Sequence, residues 1–487
     1  MKRYLPTPVN RLMSDAMFGR ASRREIIKRG TALGLSSAVM GTILTAERLG
    51  AQGTPAATPG ATPGASPVAT GPAGYTIVVP EGLPDLAGAT VNAMLSADGP
   101  GAAFDQACCD KFAEATGATV NYLKGAESAT DRLTFLSQTF AAQSADVDVA
   151  MIDVIWPGIM APHAVDLTDM KDELGVDFFE RIVQNNTVDG KLVGIPWFTD
   201  AGLLYYRTDL LEKHGFSAPP QTWTELTEQA QAIIEGEAAT NPSFTGFVFQ
   251  AAAYEGLTCN ALEWQFSYGG GTIIDEEGNV TVNNDQTKAA LELARSWVGT
   301  IAPQAVTGYM EEDARGVWQG GNSAFMRNWP GSYVLGQEPG SAIRDKFNVA
   351  QLPMGEGEGA SHAATLGGWQ MMVSQYSPSV DAAKQFAKYM TSPELQKSRA
   401  IERSTLPTIG NLYSDQDVLA ANPFFGELLE VFQTGSVARP STASVDLYGE
   451  VSTAYFTRVN EILTGSAEID AGLEDLQGQL EDIMADL

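Results

Sequence analysis

The chain has 487 residues, 44% of them hydrophobic and 18% charged, as in folded globular proteins. This length exceeds what a single hydrophobic core usually supports, so we expect two domains or more. The formal net charge of -29 argues against nucleic acid or an anionic membrane surface as a partner, because both would repel the protein.

The first residues are basic, unlike the rest of the chain. Arg23 and Arg24 are adjacent, Lys28 follows, and a weakly apolar run extends over residues 30–46. This pattern resembles a twin-arginine export signal. The run is shorter than the ~20 residues of a membrane-spanning helix, which disfavours the alternative of a membrane anchor. We predict a signal segment over residues 1–52 and an exported protein, in the periplasm or on the extracytoplasmic face of the membrane, with tethering by an uncleaved leader left open.

Residues 53–74 are rich in Thr, Pro, Ala and Gly and lack the residues that form a hydrophobic core. We predict an extended spacer here, and we expect the folded protein to begin near Tyr75.

The three cysteines, Cys108, Cys109 and Cys259, do not suit a set of disulfides, because the number is odd and two are adjacent. Phe104, Cys108 and Phe112 recur at the spacing of one helix face, which places Cys108 on a buried side. We predict buried free thiols, which fits folding in a reducing cytoplasm before export.

Strand and helix patterns alternate from Thr90 onward. The predicted strands and helices lie, in chain order, at residues 90–95, 102–117, 118–123, 130–143 and 146–153. This alternation predicts a parallel sheet covered by helices, in which ligands bind at the carboxyl ends of the strands. Asp98 follows the first strand, and Asp153 and Trp156 lie at or after the end of the third, so these residues are candidates for a binding site.

A second α/β unit follows. Thr222 and Glu225 have the spacing of a capping box that opens a helix. Strands are predicted at residues 244–250 and 323–329. Further helices are predicted at residues 290–299, 311–321, 381–392, 448–463 and 470–487.

Motifs of enzymes are scarce. The three histidines, His163, His214 and His362, do not have the spacing of a metal site or a catalytic triad. The sequence has no GxSxG motif, no P-loop and no GxGxxG motif after a strand. We therefore predict no catalytic residue, no metal and no cofactor.

Aromatic residues stand beside polar residues and Gly- or Pro-containing turns in several segments. These segments are MIDVIWPG, IPWFTDAGLLYYR, YEGLTCNALEW, MRNWPGSY and GGWQ. Carbohydrate binding uses flat aromatic faces that stack on sugar rings, together with carboxylates, amides and arginines that bond to the hydroxyls. Each aromatic residue alone could equally be a core residue, so the argument rests on the cluster.

Several of these segments, in the same order, resemble the trehalose/maltose-binding branch of extracellular solute-binding proteins of ABC transporters. The resemblance extends from about Thr90 to the C-terminus, and its most specific motifs are DAGLLYYR, RNWP and ATLGGW. It implies an α/β, two-lobed periplasmic-binding-protein fold of type II, whose discontinuous lobes are joined by hinge crossings. We expect one lobe to comprise residues 75–199 and 364–400, and the other to comprise residues 200–363 and 401–487.

The same resemblance implies a function. The protein would be the extracytoplasmic substrate-binding component of an ABC sugar importer, capturing an α-linked disaccharide such as trehalose, maltose or sucrose between its lobes. It would act as a monomer without a cofactor, and would deliver the sugar to the permease subunits and their ATPase.

Matched position by position, the resemblance also implies site residues. Trp329 and Trp369 would stack on sugar rings, and Phe198 stands where relatives often have a stacking tyrosine. The polar residues and glycines implied at the cleft are Asp153, Asp200, Arg132, Arg439, Gly367 and Gly368. Asp98, or a water, would take the place of a glutamate that some relatives have, and Trp156 completes the predicted set.

Phe198 lacks the hydroxyl group of a tyrosine. A buried sugar hydroxyl without a partner costs ~1–3 kcal/mol, enough to change the preferred disaccharide.

Two other functions stay open for the same residues. One is a glycoside hydrolase or transglycosidase acting on α-glucosides, because such enzymes also use paired carboxylates. The other is a solute sensor that docks to a signalling receptor.

Overall fold

The structure is a computed structural model, and it describes residues 74–97, 99–426 and 436–487. The predicted signal segment, nearly all of the predicted spacer, and Asp98 lie outside the described residues. The strands are β1 (Thr90–Leu95), β2 (Thr119–Lys124), β3 (Val149–Asp153), β4 (Thr187–Val188), β5 (Lys191–Leu192), β6 (Ile195–Ala201), β7 (Leu203–Arg207), β8 (Thr245–Val248), β9 (Ser323–Asn328), β10 (Phe347–Gln351), β11 (Ala364–Val373), β12 (Leu406–Pro407) and β13 (Ser436–Val437).

The α-helices connect and cover these strands. They are α1 (Gly99–Thr116), α2 (Ala129–Ala141), α3 (Pro157–Met160), α4 (Thr168–Leu174), α5 (Glu180–Asn185), α6 (Thr208–Lys213), α7 (Trp223–Glu237), α8 (Glu255–Ser267), α9 (Asp285–Trp297), α10 (Glu311–Gln319), α11 (Ser332–Gly336), α12 (Val380–Met390), α13 (Pro393–Arg403), α14 (Gln416–Ala421), α15 (Ser441–Ser444), α16 (Tyr448–Thr464) and α17 (Ile469–Met484). Every strand and helix that the sequence predicted has a counterpart here. Within the described ranges, no helix has the length and apolar character needed to cross a membrane.

The larger sheet has the strand order β12-β6-β11-β3-β1-β2, and β13 pairs with the start of β11. Strand β1 runs parallel to β2 and β3, as the alternating pattern predicted. Strand β11 is antiparallel to both β3 and β6, so the prediction of a parallel sheet is wrong for the sheet as a whole. The reason is that β11 enters from the distant second half of the chain and not through a strand–helix–strand crossover.

The smaller sheet has the order β10-β7-β9-β8. The chain leaves the larger sheet at the end of β6 and, after Gly202, starts the smaller sheet with β7. It returns to the larger sheet as β11. Strands β6 and β11 are hydrogen-bonded neighbours, so these two passages between the sheets lie side by side.

Each sheet has its own hydrophobic core. Buried residues of α1, α12 and strands β1, β3 and β11 form the core of the larger sheet. Helices α7, α8, α9, α16 and α17 bury their apolar faces with β8 and β9 of the smaller sheet. We call these two halves the large-sheet lobe and the small-sheet lobe.

The hydrogen bonds and the burial of side chains test two local predictions, the capping box at Thr222 and the free cysteines. The Thr222 hydroxyl accepts the Glu225 N–H at 3.1 Å and so caps α7 as predicted. The Glu225 carboxylate, however, accepts the N–H of Gln221 at 2.7 Å, so the reciprocal half of the capping box is wrong. All three cysteines are buried and free, which confirms that prediction.

Candidate functional site

A cavity of about 390 Å³ is lined by residues of both lobes. Its walls come from the ends of β3 and β6 and the middle of β11 in the large-sheet lobe, and from the starts of α8 and α10 and the end of β9 in the small-sheet lobe. Helix α13 contributes two arginines. The predicted location, at strand ends between two α/β halves, is therefore where the cavity lies.

The strand register brings three predicted residues into one row. Trp369 on β11 is opposite Asp153 on β3 and opposite Phe198 on β6. Residues that are directly opposite on neighbouring strands project from the same face of a sheet, so these three side chains share one wall of the cavity. Two residues along, Gly367 is opposite Asp200 and continues the same face.

Trp369 is held from behind by two other predicted residues. The Trp156 ring meets it edge-on with 5.5 Å between ring centroids, and the Arg132 guanidinium carbon lies 4.8 Å from its ring centroid. Trp156 and Arg132 are 1% and 4% exposed and lie outside the set of residues that line the cavity. The structure therefore places them as supports of Trp369, one layer behind the wall.

Trp329 lies just after β9, in the small-sheet lobe, and lines the same cavity. Its indole N–H donates to Glu311 Oε1 at 3.2 Å, and Glu311 Oε2 accepts the hydroxyl of Tyr254 at 2.7 Å. The guanidinium carbon of Arg327 lies 4.0 Å from its ring centroid. These contacts fix the orientation of the ring, as a stacking platform requires.

The two adjacent glycines make room for protein as well as for a ligand. A Cβ on Gly368, whose φ is +136°, would stand 2.7 Å from the carbonyl oxygen of Phe198. A Cβ on Gly367 would stand 3.1 Å from both Asp200 Cβ and Trp329 Cζ3. Gly367 thus lets the ring of Trp329 approach from the other lobe, and Gly368 lets β6 and β11 approach each other.

Arg439 bridges the two lobes. Its Nη2 donates to Asp153 Oδ1 in the large-sheet lobe at 2.8 Å, and its Nη1 donates to Glu255 Oε1 in the small-sheet lobe at 2.8 Å. Glu255 also accepts the hydroxyl groups of Tyr448 at 2.5 Å and Ser452 at 2.6 Å. The Arg439 Nε is buried without an acceptor among the described residues. Arg439 therefore reaches the cavity, but its terminal nitrogens are engaged by protein.

Asp200 contrasts with Asp153. No described residue donates a hydrogen bond to its carboxyl group, and its side chain faces the cavity. Burial, and then the charge of Asp153, raise the pKa of Asp200 to about 8, although Arg327 and Arg399 act in the opposite direction. Asp200 is thus a buried acceptor, or when protonated a donor, that no described residue engages.

Two arginines of α13 complete the wall. Arg399 forms an ion pair with Asp105, and its guanidinium carbon lies 4.0 Å from the ring centroid of Trp197 and 5.3 Å from that of Phe198. Arg403 is one helical turn further along. Arg399, Arg403 and Glu311 were not predicted from the sequence, because nothing in their local sequence distinguishes them from surface charges.

The structure brings most of the predicted site residues together. Those that line the cavity are Asp153, Phe198, Asp200, Trp329, Gly367, Gly368, Trp369 and Arg439. Tyr254 and Glu255 also line it, and they come from the segment YEGLTCNALEW, which the sequence had flagged as a group. Within the described ranges, no cluster of His, Cys, Asp and Glu could hold a metal ion.

Comparison with known proteins assigns this architecture. Residues 96–397 match the bacterial extracellular solute-binding protein family. A probable ABC transporter-binding protein of Deinococcus radiodurans is 49% identical over 393 residues, which cover 80% of this chain and 93% of the relative.

Two solved structures have the same two-lobed fold. Maltose-bound MalE3 of T. maritima is 38% identical, with a TM-score of 0.76 over 81% of this chain and 99% of the other. The GacH receptor of Streptomyces glaucescens, with a TM-score of 0.71 over 82% of this chain and 100% of the other, is 22% identical and supports the fold alone. Proteins of this family bind solutes and do not transform them, which excludes the alternative of a glycoside hydrolase. The chain therefore belongs to the bacterial extracellular solute-binding proteins and is a binding component of an ABC transporter.

Proposed function

We propose that this protein binds an α-linked glucose disaccharide of the maltose or trehalose type and delivers it to an ABC sugar permease. The observation that carries the proposal is the pair Trp329 and Trp369. They are half-buried, they come from different lobes, and they line one cavity. Indole faces held rigidly in the wall of one cavity suit the apolar faces of sugar rings.

The polar groups of the cavity fit hydroxyl groups. Asp200 lines the cavity and has no hydrogen-bond donor among the described residues, so its carboxyl group is free to bond to a ligand. A sugar hydroxyl both donates and accepts. The relative that is 38% identical was solved with maltose bound, which supports an α-linked glucose disaccharide as the class of ligand.

The size of the cavity supports a small ligand. Its volume of about 390 Å³ is near the lower end of the ~300–1,000 Å³ that small-molecule sites occupy. This favours a disaccharide over a longer oligosaccharide.

The proposal extends to location and partners. The basic leader with Arg23 and Arg24 supports export, and the family match supports a permease with its ATPase as the partner. We also propose that the protein acts as a monomer, with lobe boundaries near residues 199, 363 and 400. Fractionation of expressing cells tests the location, since an accumulation of the mature protein in the cytoplasm would contradict export.

Calorimetric titration of the purified protein with maltose, trehalose, sucrose, glucose and mannitol tests the ligand. We expect one disaccharide to bind with a micromolar or lower Kd, and Trp369→Ala to weaken that binding by about tenfold or more, because a stacking face is lost. Phe135→Ala is the matched control, because Phe135 is an aromatic residue that is 48% exposed and lies away from the cavity wall. Failure of every disaccharide to bind, or tighter binding of mannitol, would refute the proposed ligand.

A further inference from the structure

Arg403, the last residue of α13, is a buried arginine with no hydrogen-bond or ion-pair partner among the described residues. It is 8% exposed and lines the cavity. Six arginines are buried in the described part of the chain: Arg132, Arg207, Arg327, Arg399, Arg403 and Arg439. Five of them donate to protein acceptors. For Arg403, no described residue accepts a hydrogen bond or forms an ion pair.

The surroundings of Arg403 do not stabilise its charge. Burial lowers its pKa and the neighbouring Arg399 acts in the same direction, while Tyr75, Asp105 and Glu338 oppose the shift. Asp105 is itself paired with Arg399. A buried charge without a partner is costly, so a protein that keeps one in a cavity wall generally uses it.

The position of Arg403 defines which part of a ligand it would reach. Arg399 and Arg403 are four residues apart and share one face of α13. The guanidinium carbon of Arg399 lies 5.3 Å from the ring centroid of Phe198. Arg403 is one turn beyond, on the same wall. Phe198 offers no hydroxyl there, whereas the guanidinium of Arg403 lines the cavity with N–H groups that bond to no described residue.

The charge of the cavity selects between two classes of ligand. A guanidinium binds either a carboxylate or two adjacent hydroxyl oxygens. The acidic side chains of the lining are Glu127, Asp153, Asp200, Glu255, Glu311, Glu312 and Asp313, and the basic ones are Arg399, Arg403 and Arg439. This excess of carboxylates disfavours an anionic sugar.

We propose that Arg403 is a specificity-determining residue, whose guanidinium donates to two adjacent hydroxyl oxygens of a neutral sugar at the Phe198 end of the cavity. The inference rests on the proposed function and adds to it the residue that orients the ligand.

The test compares Arg403→Met with Arg399→Met in the full chain. For each variant we would measure the midpoint of thermal unfolding without ligand, and the affinities for maltose, trehalose and maltobionate, a carboxylate-bearing derivative of maltose. Arg403→Met removes an unpaired charge, so its unfolding midpoint should stay equal or rise, while its affinity for the neutral disaccharide falls about 10- to 100-fold. Arg399→Met leaves Asp105 buried without its partner, so its midpoint should fall by several degrees.

Each other outcome is decisive. If wild type binds a neutral disaccharide and Arg403→Met binds it equally well, the inference is wrong and the proposed function stands. A midpoint that falls as much in Arg403→Met as in Arg399→Met would make Arg403 a structural residue. Tighter binding of maltobionate than of maltose would overturn the neutral class of ligand. If wild type binds neither neutral disaccharide, the proposed function fails, and the inference fails with it.

Discussion

Asp153 and Asp200 are two carboxyl groups of one cavity that differ in their hydrogen-bond partners. Asp153 Oδ1 accepts a hydrogen bond from Arg439 Nη2 at 2.8 Å. Asp200 has no such partner, and burial raises its pKa to about 8. The pair therefore offers a ligand one fixed acceptor and one group that is able to donate or accept near neutral pH.

This difference predicts a pH dependence of stability. The folded protein keeps a proton on Asp200 up to about pH 8, whereas the unfolded chain releases it above a pKa of ~3.9. Between those values the folded state binds more protons, so the contribution of Asp200 makes the free energy of unfolding fall as the pH rises. Asp200→Asn should remove that contribution. Urea denaturation of both proteins at pH 5 and pH 8 measures it, and an equal change between the two pH values in both proteins would contradict it.

At the scale of elements, β11 determines the shape of the site. Its register sets Trp369 between Asp153 and Phe198, and its two glycines accept the backbone of β6 and the ring of Trp329. A single strand therefore positions residues from both lobes around the cavity.

Gly368→Ala should both destabilise the protein and weaken sugar binding. At φ +136° an alanine is strained, and its Cβ would stand 2.7 Å from the Phe198 carbonyl oxygen, so β6 would have to move. We expect a loss of about 1–3 kcal/mol or more in the free energy of unfolding. Gly478→Ala, inside α17 with open space around it, is the control and should gain about 1 kcal/mol. Chemical denaturation measures the free energy of unfolding of both variants, and similar stabilities of the two variants would contradict this explanation.

The sequence was sufficient to locate the strands and helices, but not to predict how they pair or how the site residues pack. Strand and helix periodicity located the elements, because amphipathic patterns over ten or more residues leave few alternatives. The antiparallel entry of β11 was not predictable, since its neighbours are far away in sequence. Arg132 and Trp156 were predicted at the cleft but lie behind Trp369, a distinction of one side-chain layer that depends on packing. Arg403 was missed because its lack of a partner is a property of the tertiary structure. The residues at which the lobes exchange stay a prediction.

At the scale of the whole molecule, one buried ion pair joins the two passages between the sheets. Glu263 and Arg327 are at most 1% exposed, and they are 2.5 Å apart at Oε1 and Nη2. Glu263 Oε1 accepts the N–H of Thr365 at the start of β11, and a Cβ on Gly202 would stand 2.0 Å from the same oxygen. Arg327 also lies over Trp329. The pair thus contacts both passages and a cavity platform.

Because of where the tryptophans are buried, the intrinsic fluorescence of the protein should report ligand binding. Of the eight tryptophans, Trp156, Trp197, Trp223, Trp264, Trp297 and Trp318 are at most 1% exposed, and only Trp329 and Trp369 border the cavity. The six buried indoles gain no contact with a sugar that enters the cavity, so we expect a shift in wavelength on adding maltose or trehalose to come mainly from the two cavity indoles. We expect a blue shift as water leaves their faces, and its disappearance in Trp329→Phe/Trp369→Phe. An unlabelled sample in a fluorimeter would then report the occupancy of the cavity directly, and a shift that persists in the double variant would contradict this assignment.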